Sequence, residues 1–270
     1  MRSLVQNLTA IKQLHLNWVE MYSTVPDILV NASSLTSLQF GYCELNGEFP
    51  LGIFHLPNLE KLNVAWTNFS GMLPTSIGNF HSLNLLDISG CHFYTLVPSS
   101  LGNLTQLNYL DIKFNQPLQF VPSFVAYLTQ LSFLFLDNNE ITGQIPSWLV
   151  NLAQLTTLYL PGNNLQRAIP RSLFQLRNLE ILDLSSNSLS GQVEFDQFSQ
   201  PKKLMELQLS YNKLSLLIIT NLSATVPQLE LLDIQTNMLQ GSLPIPPQSI
   251  RNIWSAAIIT VEKFRPCSAT

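Results

Sequence analysis

Charge is scarce in this chain. Lys, Arg, Asp and Glu together make up 11% of it, and 13 basic against 17 acidic residues leave a formal net charge of −4. With no basic cluster there is nothing to neutralise a phosphate backbone, which excludes nucleic acid as a partner. Long apolar runs are missing too: the longest, such as residues 216–219 and 256–261, fall far short of the roughly 20 residues that span a bilayer. The opening MRSLVQNLTA has one Arg and no apolar core of secretory length, so it does not read as a signal peptide. Cysteine is reduced to Cys43, Cys91 and Cys267, which form neither a paired framework nor a metal-ligand spacing. Phosphate-binding glycine motifs, H-E-x-x-H and G-x-S-x-G are all absent, so the sequence points to no enzyme, cofactor or metal.

What the chain has is repetition. The segment L-x-x-L-x-L begins at Ile11, Leu35, Leu59, Leu83, Leu107, Leu131, Leu155, Leu179, Leu204 and Leu229, at intervals of 24 residues and, for the last two, 25. Pro26, Pro50, Pro74, Pro98, Pro122, Pro146 and Pro170 follow in constant phase; Glu194 and Ile219 break the series and Pro244 resumes it. Leucines at the first, fourth and sixth positions point inward, and the alternation from fourth to sixth is that of a short strand. One unit cannot bury these side chains alone. Stacked units make a continuous core and align their strands into a parallel sheet of about 4.8 Å spacing.

Further phases read the same way. Asn115, Asn139, Asn163, Asn187, Asn212 and Asn237 occupy a turn position, where an amide can satisfy backbone groups left unpaired. Cys43, Thr67 and Cys91 stand there in earlier units and can still donate, whereas Val19 cannot. Glycines before the prolines, as in GEFP, GMLP, GQIP and GSLP, allow a conformation costly for other residues. After the prolines, PSSLGNL, PSWLVNL and PRSLFQL predict one-turn helices on the convex side, with Ser at or near the helix start. The ninth unit omits the G-x-[IFL]-P element. Residues 1–10 therefore read as the convex tail of a preceding repeat, 11–247 as a solenoid of about ten repeats, and 248–270 as an irregular tail.

The unit with L-x-G-x-I-P spacing resembles plant extracellular leucine-rich repeats. NASSLTSLQFGYCELNGEFPLGIFHLPNLEKL, LSGQVEFDQFSQPKKLMELQLSYNKLSLL and LDIQTNMLQGSLPIPP resemble plant receptor-like proteins of the disease-resistance class, over residues 3–247. The resemblance implies an α/β solenoid, a right-handed superhelix with its parallel sheet on the concave face and short helices or 3-10 turns on the convex face. It further implies a non-catalytic module that perceives an extracellular peptide or protein ligand at the plasma membrane and signals through a partner receptor kinase, in defence or another response. Two alternatives stand beside it: a soluble polygalacturonase-inhibitor-like cell-wall protein and a truncated product without function.

The candidate binding surface is the exposed strand face. Seven positions after each unit start come Trp18, Tyr42, Trp66, Gly90, Phe114, Asn138, Gly162, Ser186, Tyr211 and Thr236. Trp18, Tyr42 and Trp66 are expected to stack as an aromatic column. Tyr109, Phe114, Phe133, Phe135 and Tyr159 form a second, middle group, and exposed aromatic patches mark interaction sites. Lys61 and Lys113 are candidates for charge at this surface. Asp87, Asp111, Asp183 and Asp233 share one phase as repeat wording, and His15, His55, His81 and His92 share none. Sequons at Asn7, Asn31, Asn68, Asn103 and Asn221 are candidate glycosylation sites. Cys43 and Cys91, two turns apart, are too distant for a disulfide.

Overall fold

The computed structural model describes residues 10–93, 97–115, 117–217, 222–240, 248–249 and 251–254. Each repeat contributes one three-residue strand, from Gln13–His15 through Ser37–Gln39, Lys61–Asn63, Leu85–Asp87, Tyr109–Asp111, Phe133–Phe135, Thr157–Tyr159, Ile181–Asp183 and Glu206–Gln208 to Leu231–Asp233. All pair in parallel and in constant register, with Leu134 between Leu110 and Leu158. Those three leucines are fully buried, as are Leu38, Leu86 and Leu207. Each buried leucine contributes roughly 1.5–3 kcal/mol, and no unit could realise it without a neighbour on either side.

The asparagine phase is a ladder. Asn163 Nδ2 donates to Leu136 O of the preceding unit and Leu160 O of its own, while its Oδ1 accepts from the amides of Asn139 and Ile141. Asn187, Asn212 and Asn237 repeat the reach to the preceding unit, onto Leu160 O, Leu184 O and Leu209 O. Cys43 and Cys91 make the equivalent bond with Sγ, to Leu16 O and Val64 O, and both are buried free thiols. Burial pushes the Cys91 thiol up to about 12, so it stays protonated and donates.

On the opposite side, 3-10 helices follow the strands, among them Leu51–His55, Ser99–Asn103, Ser147–Asn151 and Phe195–Ser199. Here the expected serine caps are not formed. Pro98, Pro146 and Pro170 hold the cap position in extended conformation, with no side-chain cap. Proline fills that slot well because its fixed φ suits the entry and its missing N–H is not needed. Ser172 Oγ instead donates to Ser147 O in the neighbouring unit.

Two findings go beyond the sequence reading. A second set of strands runs along one flank: Asn46–Glu48, Asn68–Gly71 and His92–Phe93 form one sheet. Thr142–Gly143, Asn164–Arg167, Ser188–Glu194, Lys213–Leu217 and Met238–Gln240 form another. Gly47, Gly71, Gly143 and Gly191 sit in these strands at φ between 82° and 97°, which explains the glycine of the repeat. The fifth unit has Pro117 and no such glycine, and its Leu118 amide joins Asn139 O outside either sheet. In addition, Asn252–Trp254 pairs in parallel with Leu231–Asp233, so the main sheet continues past the boundary expected at residue 247. Asn7, Asn221, Gly241, Pro244 and Cys267 lie outside the described residues.

Candidate functional site

Beyond each strand the inter-unit ladder continues. The amides of Trp18, Tyr42, Trp66, Gly90 and Phe114 donate to the carbonyls of Gly41, Ala65, Ser89, Lys113 and Asp137 in the next unit. This position lies in the left-handed region in every unit, with φ of 64° at Trp18, 59° at Tyr42, 53° at Trp66, 61° at Gly90 and 52° at Phe114. Glycine and asparagine at the same phase, Gly90, Asn138 and Gly162, are the sequence signal for it, because they enter that region most readily.

The geometry throws these side chains outward as a column. Trp18 and Tyr42 stack with ring centroids 3.9 Å apart and planes 5° from parallel; Tyr42 and Trp66 follow at 6.0 Å and 17°. The rings are exposed, Trp18 to 73%. At Gly90 the column lacks a ring, and a Cβ there would come within 2.6 Å of the Trp66 indole. Trp66 leans over that glycine to reach Phe114, centroid to centroid 5.3 Å. Phe114 therefore extends the column, a correction to its placement in the middle group.

The rest of the middle group is contiguous. Tyr109 packs on Phe133 at 5.9 Å and on Phe135 at 5.4 Å, and Phe135 on Tyr159 at 5.2 Å. Lys113 Nζ lies 5.4 Å from the Phe135 ring centroid and 3.1 Å from Asp111 Oδ2. It is a pinned cation beside the rings, whereas Lys61 is exposed.

The shared aspartate phase has a structural task. Asp87, Asp111, Asp183 and Asp233 each accept, through Oδ1, the amide two residues on: Ser89, Lys113, Ser185 and Gln235. Asn63 Oδ1 does the same for Ala65. The carboxylates nonetheless crowd one another. Burial first, then the charge of Asp87, pushes Asp111 up to about 7, against the Lys113 amide and ammonium. Burial raises Asp87, Asp137 and Asp183 as well. Lys113 is held above its usual range because Asp111, Asp137 and Asp87 together outweigh its own desolvation. Asp137, 8% exposed, escaped the sequence reading because its unit reads LFLDNN, two residues out of the aspartate phase, which Phe135 occupies.

Asn31 and Asn103 end 3-10 helices on the opposite side, and Asn68 begins a flank strand; all three are exposed. Among the described residues no group of His, Cys, Asp and Glu is arranged to hold a metal ion, and no helix is long and apolar enough to cross a membrane.

A family model described as a leucine-rich repeat region matches residues 38–243. No curated protein sequence matches the chain. Among solved structures, one similar fold is the Arabidopsis receptor kinase HAESA in complex with the peptide hormone IDA and the co-receptor SERK1. It is 28% identical at a TM-score of 0.73, over 82% of this chain and 41% of that one. Another is the plant peptide hormone receptor RGFR1 in complex with RGF2, 25% identical at 0.74, over 89% and 42%. A plant ice-binding protein is 25% identical at 0.71, over 88% and 74%. The chain thus spans less than half the length of either receptor.

Proposed function

The chain belongs to the leucine-rich repeat region family, and we propose that its function resides in a surface that the stacked units share, as a non-catalytic recognition module whose strand face binds an extended peptide. The observation that carries this reading is the contiguous set of Tyr109, Phe133, Phe135 and Tyr159 across three neighbouring strands. These rings hold no core position, and aromatic side chains supply large contact area at small entropic cost. The similarity to receptor ectodomains solved with peptide hormones supports a peptide as the occupant.

On this reading the module works on the extracellular side of the plasma membrane, within a receptor-like protein that engages a partner receptor kinase, in defence or another extracellular response. Glycans on Asn31, Asn68 and Asn103 belong to the same reading, since all three lie off the strand face. Secreted protein should lose mass with a glycosidase; unchanged mass would remove them.

The binding test uses peptides selected from a random library on the wild-type chain. Replacing Phe133, Phe135 and Tyr159 together by Ala should weaken those peptides at least about tenfold, a modest loss for three aromatic contacts. Unchanged affinity in a folded variant rules this patch out.

A further inference from the structure

The fifth-position row of the sheet, next to the inward leucines of the fourth, places residues of two kinds side by side. Cα partners run Asp87, Asp111, Phe135, Tyr159, Asp183 and Gln208. Two adjacent rings are bracketed by carboxylates on both sides. Asp137 and Glu206 adjoin the row closely enough that their charges, with that of Asp183, act on the Tyr159 hydroxyl. Against these acids the middle units set one ammonium, that of Lys113, and it sits at the ring of Phe135 and the carboxylate of Asp111. The protein's own lysine thus shows which chemistry the cradle accepts: a cation over an aromatic face, charge-paired with a carboxylate.

We propose that the peptide's anchor on this face is a cationic side chain, a guanidinium or ammonium that settles against Phe135 and Tyr159 between Asp111 and Asp183, in competition with Lys113. The proposal rests on the strand face being a peptide site and names the peptide's charge. Charge complementarity selects this occupant. Asp111 and Asp183 are raised by burial first and then by the charge of neighbouring carboxylates, so an arriving cation offsets that repulsion, and an anion adds to it. The rings add the attraction of their faces, which favours a guanidinium most because it is weakly hydrated and planar.

Three synthetic peptides of about eight residues, long enough at roughly 3.3 Å per residue to cross these units, test it. One carries two Arg, one Gln in their place, one Glu. The Arg peptide should bind about tenfold or more tighter than the Gln peptide, with affinity falling as salt rises, and the Glu peptide should bind weakest. Asp183→Asn should reduce that preference several-fold while keeping the fold, since a carboxamide still accepts the Ser185 amide, as Asn63 does for Ala65. Lys113→Gln should strengthen Arg-peptide binding by removing the competitor. Equal binding of the Arg and Gln peptides overturns the cationic anchor and leaves peptide recognition standing. Preference for the Glu peptide, or weaker Arg-peptide binding in Lys113→Gln, also overturns it. If no peptide of any charge binds, both readings fall.

Discussion

Single side chains in this fold carry duties toward two units at once. Asn163 serves two amides through Oδ1 and carbonyls in its own and the preceding unit through Nδ2. Asn163→Ala strands all of them out of water, so urea unfolding should show a loss of about 3 kcal/mol or more. Asn115→Ala should cost less, because Asn115 Oδ1 finds no partner among the described residues. Equal losses would mean that the ladder bonds do not set the cost. Asp111 supplies a pH signature. Its folded-state carboxyl is raised to about 7, so the folded protein holds a proton that the unfolded chain releases near pH 4. Its contribution therefore favours the fold at low pH and declines as pH rises through that window. Asp111→Asn should flatten the fall in Tm between about pH 4 and 7, and an unchanged slope would contradict the assignment.

The elements explain what could be read in advance. Leucine and proline phases reach the main sheet, its register and the short helices, because burial of a repeated pattern leaves one way to stack. The flank strands were hidden: they depend on glycines at positive φ, and G-x-[IFL]-P reads equally well as a plain turn. In the site, the outward phase and both aromatic groups were legible. Phe114's true neighbours were not, since they depend on Trp66 crossing Gly90, a lateral displacement that no spacing encodes. Asp137 and the cradle around Lys113 were missed for a similar reason, as they join residues from different phases. One element departs from its own rule. Arg167 holds φ 67° at the place where Gly47, Gly71, Gly143 and Gly191 stand. Relief of that conformation, less the entropy of glycine, should make Arg167→Gly more stable by about 0.5–1 kcal/mol. Thermal unfolding checks it, and a destabilised variant would show that Arg167 makes a contact worth more than the strain.

At the scale of the whole molecule, the stack separates its faces. Rings and carboxylates line the strand face, the described sequons lie elsewhere, and the core between them is one continuous cluster from Leu14 to Ile234. Such a stack offers an extended surface that would suit the extended peptide proposed above. Hydroxyl-radical footprinting, with and without a library-selected peptide, addresses that directly, because exposed rings report their own covering. Protection should fall on Phe133, Phe135 and Tyr159, while Tyr127, 68% exposed on its 3-10 helix, and Phe120, 57% exposed, stay reactive. Protection of Tyr127 and Phe120 with the strand-face rings unchanged would contradict the account.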